Sequence, residues 1–256
     1  MLLAVDIGNT HIVIAAMRGS AVHYKARLAT DKLKTEYEYA VSIKALLGLG
    51  GIEPEDFEGC CLSSVSPVMT EKITGAVRLL TGKVPMTVGS GLKTGLNIRI
   101  DNPAECGADL VTAAVGALKC FKPPMIIIDL GTATTLSAID KNGAFVGGAI
   151  APGVITSVDA LSEKTALLPS VGLGVPASAI GKNTADCMRS GSVLGAAGMI
   201  DGLVDRMCAE LEGSVTLVAT GGLAHVVIPN CTHEITICDD LIFEGLAAIY
   251  EKNLRK

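Results

Sequence analysis

Tryptophan is absent from the 256-residue chain, and all aromatics together make up 3% of it. With 49% apolar residues, the core must be assembled from Ala, Val, Ile and Leu, a composition suited to strands covered on both faces by helices. No Lys/Arg run occurs, and 21 basic against 26 acidic residues leave a net charge of −5. The electrostatic footprint of a nucleic-acid binder is missing, so no nucleic-acid partner is expected. No apolar run approaches the ~20 residues that cross a bilayer, so no membrane partner is expected. Met1 to Val5 stops at Asp6, too short for the apolar region of a signal peptide. The eight cysteines include no CxxC pair, and Cys231 and Cys238 flank His233 at a spacing that no standard zinc site uses. They read as small apolar fillers kept reduced, which points to a soluble, cytoplasmic protein. Also lacking are a GxGxxG dinucleotide loop and a Walker loop. Gly174 to Thr184 resembles the latter superficially, but Gly181-Lys182 is wrongly spaced and Asn183 stands where Ser or Thr is required.

Glycine, by contrast, is plentiful at 29 residues, and it falls in a pattern. The apolar run 2–5 ends in Asp6-Ile7-Gly8-Asn9-Thr10, and a second apolar run, His11 to Met17, follows directly. After Arg18-Gly19-Ser20 comes a third, Ala21 to Arg27: strand, glycine turn, strand, polar turn, strand. The pattern returns at Met125 to Ile128, followed by Asp129-Leu130-Gly131-Thr132-Ala133-Thr134. A strand over Thr135 to Ile139 then turns at Asn142-Gly143, a strong hairpin dipeptide, into Ala144 to Ile150. Asp6 falls on Asp129, Gly8 on Gly131, and the second turns superpose as well. One Asp-x-Gly alone reads as an ordinary turn whose Asp bonds its own backbone; two, each opening a three-strand meander, point to internal duplication. Each half also has a later strand ending in small polar residues, Cys60 to Val65 before Ser66-Pro67 and Val215 to Ala219 before Thr220-Gly221-Gly222.

Helical stripes run through Leu110, Val111, Ala114, Val115 and Leu118, through Val193 to Leu211, and through Leu241, Leu246, Ile249 and Tyr250. They read as core faces and carry no chemistry. The diproline Pro123-Pro124 cannot continue a helix, so we divide the chain into 1–120 and 121–256, with the last helix free to pack back across the boundary. A glycine turn between strands exposes backbone N–H groups that suit phosphate oxygens, and Asn9, Thr10, Thr132, Thr134 and Thr135 add short neutral donors. Asp6 and Asp129, at strand ends, are placed to hold Mg²⁺, its water shell or another cation. Without a cation, two carboxylates facing phosphate would repel it. The Gly221-Gly222 pair would let an adenosine ring lie flat on backbone. These features read as an ATP-using phosphotransferase whose two halves face each other across a nucleotide cleft.

DIGNT at 6–10, DLGTATT at 129–135 and Gly221-Gly222 resemble the phosphate-1, phosphate-2 and adenosine motifs of the actin, sugar kinase and Hsp70 superfamily. Within it the whole chain is similar to type III pantothenate kinases, through SSVSP at 63–67, KTGLNIR at 93–99, DNPAECGAD at 101–109 and GGAIAPG at 147–153. The resemblance implies an α/β fold of duplicated ribonuclease H-like (actin-like ATPase) domains, with mixed sheets flanked by helices. It implies ATP-dependent phosphorylation of the terminal hydroxyl of pantothenate, opening coenzyme A biosynthesis. It further implies a homodimer whose substrate site is shared between subunits, and a need for Mg²⁺ and a monovalent cation, K⁺ or NH₄⁺. Carried over residue by residue, Asp6, Ile7, Gly8, Asn9, Thr10, His11, Ile12 and Val13 cover the ATP phosphate loop, and Thr132, Gly221 and Gly222 contact ATP. Asp129 is the monovalent-cation ligand, with Asp6 as the second metal-binding carboxylate. Ile100, Gly107, Ala108, Asp109, Leu110 and Thr184 cover the pantothenate site, and Asp109 is the general base.

Asp109 opens a helix, where the helix dipole favours negative charge, and a positioned carboxylate can take the proton of a primary alcohol. The same residue could instead merely cap the backbone; the DNPAECG stretch ahead of it favours the base. Two positions depart from the family pattern. Leu110 stands where Arg commonly follows the catalytic Asp, and Ile100 stands where an aromatic is common. Lys93, Arg99 and Lys182 are candidates to replace the missing cation, which could pair a carboxylate bidentately. A diverged enzyme for another small alcohol, or a non-enzymatic regulatory protein on the same scaffold, are the alternatives.

Overall fold

In the structure, a computed structural model that describes residues 1–254, the first apolar run becomes β1 (Leu2–Ile7). There follow β2 (His11–Arg18), β3 (Ala21–Ala29), α1 (Glu36–Leu49), β4 (Gly59–Ser64), α2 (Pro67–Thr81), β5 (Met86–Thr87), β6 (Asn97–Ile98) and α3 (Ala108–Cys120). The later elements are β7 (Met125–Leu130), β8 (Ala133–Ile139), β9 (Ala144–Pro152), α4 (Val154–Lys164), α5 (Thr184–Glu210), β10 (Thr216–Thr220), α6 (Ala224–Val227), β11 (Thr236–Ile237) and α7 (Leu241–Leu254). Two compact units result. One comprises Met1–Leu96, Asp101–Cys120 and the segment from Asp240 through α7; the other comprises Asn97–Ile100 and Phe121–Asp239.

Each unit has one mixed sheet. The first is ordered β3-β2-β1-β4-β5, and the second repeats that order as β9-β8-β7-β10-β11, with β6 added outside β9. In both, the first three strands are antiparallel and the later ones join in parallel. The registers match as well. Asp6 stands opposite Val13 and Ser63, while Asp129 stands opposite Thr135 and Thr220. Duplication therefore extends from the Asp-x-Gly turns to the whole topology.

Strand alternation decides what these acids face. Leu3, Val5 and Ile7 of β1, Ile12 and Ile14 of β2, and Leu62 of β4 pack with Tyr39 and Ile43 of α1 and with Met69 and Ile73 of α2. Since side chains alternate along a strand, Asp6, Val13 and Ser63 lie on the opposite face. That face is the one on which α3 and α7 pack. In the second unit Ile128 and Leu130 of β7 and Ala219 of β10 pack with Val154 of α4, Ala197 and Ile200 of α5, and Val227 of α6. Asp129 and Thr220 again occupy the other face.

The helices start and stop on local chemistry. α1 begins at a capping box, in which Glu38 Oε2 accepts from Thr35 N at 2.8 Å and Thr35 Oγ1 accepts from Glu38 N at 3.3 Å. α2 begins at Ser66-Pro67 and ends at Gly82, whose φ of 67° only glycine adopts without cost. α3 and α7 approach until backbone meets backbone. A Cβ on Gly245 would overlap the Thr112 carbonyl, and one on Gly116 would overlap that of Leu241. Gly245→Ala is therefore expected to lower the unfolding free energy by about 1–3 kcal/mol, read as a lower melting temperature. An unchanged melting temperature would contradict this packing.

Among the described residues the cysteines form no disulfide, and no helix is long and apolar enough to cross a membrane. Cys60 and Cys61 are buried in β4. Burial pushes the Cys60 thiol up to about 11, a hydrogen bond with Thr81 opposing, and pushes Cys61 up to about 12, with Cys60 beside it adding to the rise. Because the thiolate is the nucleophile, both should alkylate at pH 8 at least about 10²-fold more slowly than an ordinary exposed thiol. Peptide mapping after brief iodoacetamide treatment, with and without denaturant, checks this.

Candidate active site

In open α/β sheets, ligands bind beyond the carboxyl ends of the strands, and both acids stand there, one residue before the end of β1 and of β7. In the first unit, Gly8 N donates to His11 O at 2.9 Å, closing the elbow between β1 and β2. Thr30, just past β3, fastens it twice: its backbone N donates to Thr10 O at 2.9 Å and its Oγ1 to Gly8 O at 2.8 Å. Asn9, Thr10 and His11 are exposed, and Asp6, Gly8 and Val13 are half-buried. Ile7 and Ile12 belong to the core. Of these two, only the backbone can face a ligand.

The second elbow is built alike. Gly131 N donates to Ala133 O at 3.0 Å. Thr132 O accepts from Gly153 N at 3.1 Å and from Thr156 Oγ1 at 2.7 Å, which ties the elbow to the first turn of α4. Gly131 and Thr132 are exposed and Asp129 is half-buried. Gly221 passes so close that an added Cβ would stand 2.5 Å from Asp129 Oδ1, and its φ of +97° excludes other residues a second time. Asp129, Gly131, Thr132 and Gly221 thus come together in one place, with Gly222 exposed next to them.

Asp109 lies in the first turn of α3, half-buried, and its Oδ1 accepts from Leu110 N at 2.8 Å. Gly107 leaves room for that carboxylate, since a Cβ there would collide with Asp109 Oδ1. Ahead of them Asn102 Oδ1 accepts from Ala104 N at 3.3 Å, folding 102–106 into a tight turn that leads into α3. Asp6–Val13 and Gly107, Ala108, Asp109 and Leu110 belong to the first unit. Ile100, Asp129, Thr132, Thr184, Gly221 and Gly222 belong to the second.

Ile100 follows β6, an edge strand two residues long. Its neighbour Arg99 pairs with Asp140 at 3.4 Å. That carboxyl is held below the usual range, first by the Ala144 N–H and more weakly by Asn142 and Arg99. Arg99 is thus engaged in fastening the β8–β9 hairpin. Lys93 and Lys182 are exposed. Thr184 opens α5 behind Asn183, whose Oδ1 accepts from Asp186 N at 2.9 Å. It lines a mainly apolar cavity of about 530 Å³ between α4 and α5, with Val154, Leu161, Met188 and Met199.

Among the described residues no three His, Cys, Asp or Glu side chains gather as a metal cage. One or two carboxylates are what Mg²⁺ uses alongside substrate phosphates and its own waters, so a single strand-end acid such as Asp6 fits that ion. A further observation fits it too. Ser63, in register with Asp6, is fully buried and its hydroxyl has no partner. Such a group costs about 1–3 kcal/mol unless something bonds it. Neither Thr30 nor Ser63 was singled out from sequence. Ser63 fell inside the SSVSP stretch, and only the strand pairing sets it beside Asp6.

Two mixed sheets of one strand order, each with an acid and a glycine elbow at its centre, define the ribonuclease H-like fold of actin-like ATPases and sugar kinases. A solved structure with this fold is the activator of the 2-hydroxyisocaproyl-CoA dehydratase from Clostridium difficile, with bound ADPNP. It superposes with a TM-score of 0.60 at 14% identity, over 100% of this chain and 97% of that one. Residues 2–206 match the model of the family described as type III pantothenate kinase. A type III pantothenate kinase of Moorella thermoacetica is 40% identical over 99% of this chain and 100% of its own, and one of Rhodospirillum centenum is 41% identical over 99% of each. The chain belongs to the type III pantothenate kinase family.

Proposed function

We propose that this chain transfers the γ-phosphoryl group of ATP to the terminal hydroxyl of pantothenate, a step toward coenzyme A. Family membership supports the reaction, and the observation that carries it is the acidic glycine elbow built twice on one topology. The elbow residues Asn9, Thr10 and Thr132 receive the phosphates of ATP, and Gly221-Gly222 gives the adenosine a flat surface. Asp6 holds the water shell of Mg²⁺ and Asp129 binds a monovalent cation, K⁺ or NH₄⁺. Mg²⁺, when bound, neutralises the charge on the transferring phosphoryl group.

Asp109 accepts the proton of the attacking hydroxyl at its outer carboxylate oxygen, while the Leu110 N–H holds Oδ1. Gly107 to Leu110 of the first unit, and Ile100 and Thr184 of the second, are the residues that the family resemblance assigns to pantothenate binding. With Leu110 in place of Arg, and Arg99 engaged by Asp140, the substrate carboxylate is left to Lys93 or Lys182. The enzyme works as a homodimer in the cytoplasm. ADP release coupled to a reporter, with pantothenate, ATP, Mg²⁺ and K⁺, tests the assignment. Turnover no greater than that of an Asp109→Asn control rejects it.

A further inference from the structure

Two buried hydroxyls among the described residues have no hydrogen-bond partner, Ser63 Oγ and Thr134 Oγ1. Thr134 stands opposite Leu130 in the β7–β8 register, so it shares the face that packs on α4, α5 and α6 and not the face of Asp129. Ser63 is placed differently. It is 0% exposed and stands in register with Asp6 across β1 and β4, on the same sheet face and one strand away. In the second unit another hydroxyl residue, Thr220, stands opposite Asp129 by the same register. Duplication has thus set a hydroxyl beside each strand-end acid. A serine hydroxyl both donates and accepts, and its burial without a partner disfavours the empty state unless a ligand supplies one.

We infer that Ser63 is a positioning residue for the divalent cation, its hydroxyl bonding a cation-bound water beside the Asp6 carboxylate. The role rests on the reading of Asp6 given under Proposed function and adds to it a group from a third strand position. Ser63 touches neither phosphate nor pantothenate; it acts through the water that Asp6 also holds. A hydroxyl suits that task because it can accept from the water or donate to it.

The test is the affinity of the full chain for Mn²⁺ in the presence of ADP, measured by electron paramagnetic resonance. Ser63→Ala is expected to weaken Mn²⁺ about tenfold, the scale on which losing an outer partner costs a metal site. Its melting temperature should stay level or rise, because an unpaired buried hydroxyl has gone. Ser63→Thr, which copies Thr220, is expected to keep the parent affinity. Unaltered Mn²⁺ affinity in Ser63→Ala, or equal loss in the Ala and Thr variants, overturns the inference. Asp6→Asn separates the two levels. Loss in Asp6→Asn without loss in Ser63→Ala removes Ser63 alone, whereas parent-like binding in Asp6→Asn removes the nucleotide-site reading of Asp6 and the inference with it.

Discussion

Replacing Asp109 by Asn is expected to lower kcat by about 10²–10⁴-fold, the usual worth of a positioned general base. The change removes the acceptor for the hydroxyl proton but keeps an oxygen that can take the Leu110 N–H bond, so α3 should retain its first turn. Stability and ATP affinity should therefore stay close to the parent. Because the lost interaction forms only as the proton moves, kcat and kcat/KM should fall together. A residue that only capped the helix would behave otherwise. Because Asn caps a helix about as well as Asp, the same variant would then leave both the melting temperature and kcat nearly untouched. Steady-state kinetics beside a thermal melt of the same preparation separates the two.

Gly221→Val is expected to damage both the stability and the ligand binding of the second unit. A β-branched residue at a φ of +97° is strained whatever surrounds it. Here the added atoms would also meet the Asp129 carboxylate and the Leu130 backbone. The chain must then move either the turn or the acid. Stability should fall by about 3 kcal/mol or more, the range of changes that combine backbone strain with steric overlap. Displacing Asp129 should weaken nucleotide and cation binding by about 10–100-fold, as loss of an orienting contact does at metal sites. Gly222, exposed and with nothing near its missing side chain, is the control. Gly222→Ala should leave stability almost unchanged, and comparable damage at both glycines would contradict the close approach of Gly221 to Asp129.

The elbows were legible because their signals are local. Asp-x-Gly between two apolar runs fixes a turn within a few residues, and its recurrence at Asp6 and Asp129 exposed the duplication. β4 and β10 were legible for the same reason, each ending in small polar residues. Less could be read where distant pairing decides. β6 is only two residues long, too short for any periodicity, and its pairing with β9 places Ile100 and Arg99 in the second unit. α1 has only a weak stripe, whereas α2 is clearly amphipathic and begins at the start signal Ser66-Pro67, as α1 begins at Thr35 with Glu38; neither helix is among the stripes read from the sequence. The stripe of α7 announced a buried face without saying that Gly116 and Gly245 bring it onto α3. The engagement of Arg99 by Asp140, like the closeness of Ser63 to Asp6, depends on strand register, which composition does not encode.

Calorimetric titration of Mg·ATP into the parent chain and into Asp6→Asn and Asp129→Asn addresses the acidic elbows most directly. Saturable binding to the parent, lost or weakened by about tenfold or more in each variant, is the expected outcome. Undiminished binding in both variants would contradict the assignment of the elbows as the nucleotide site.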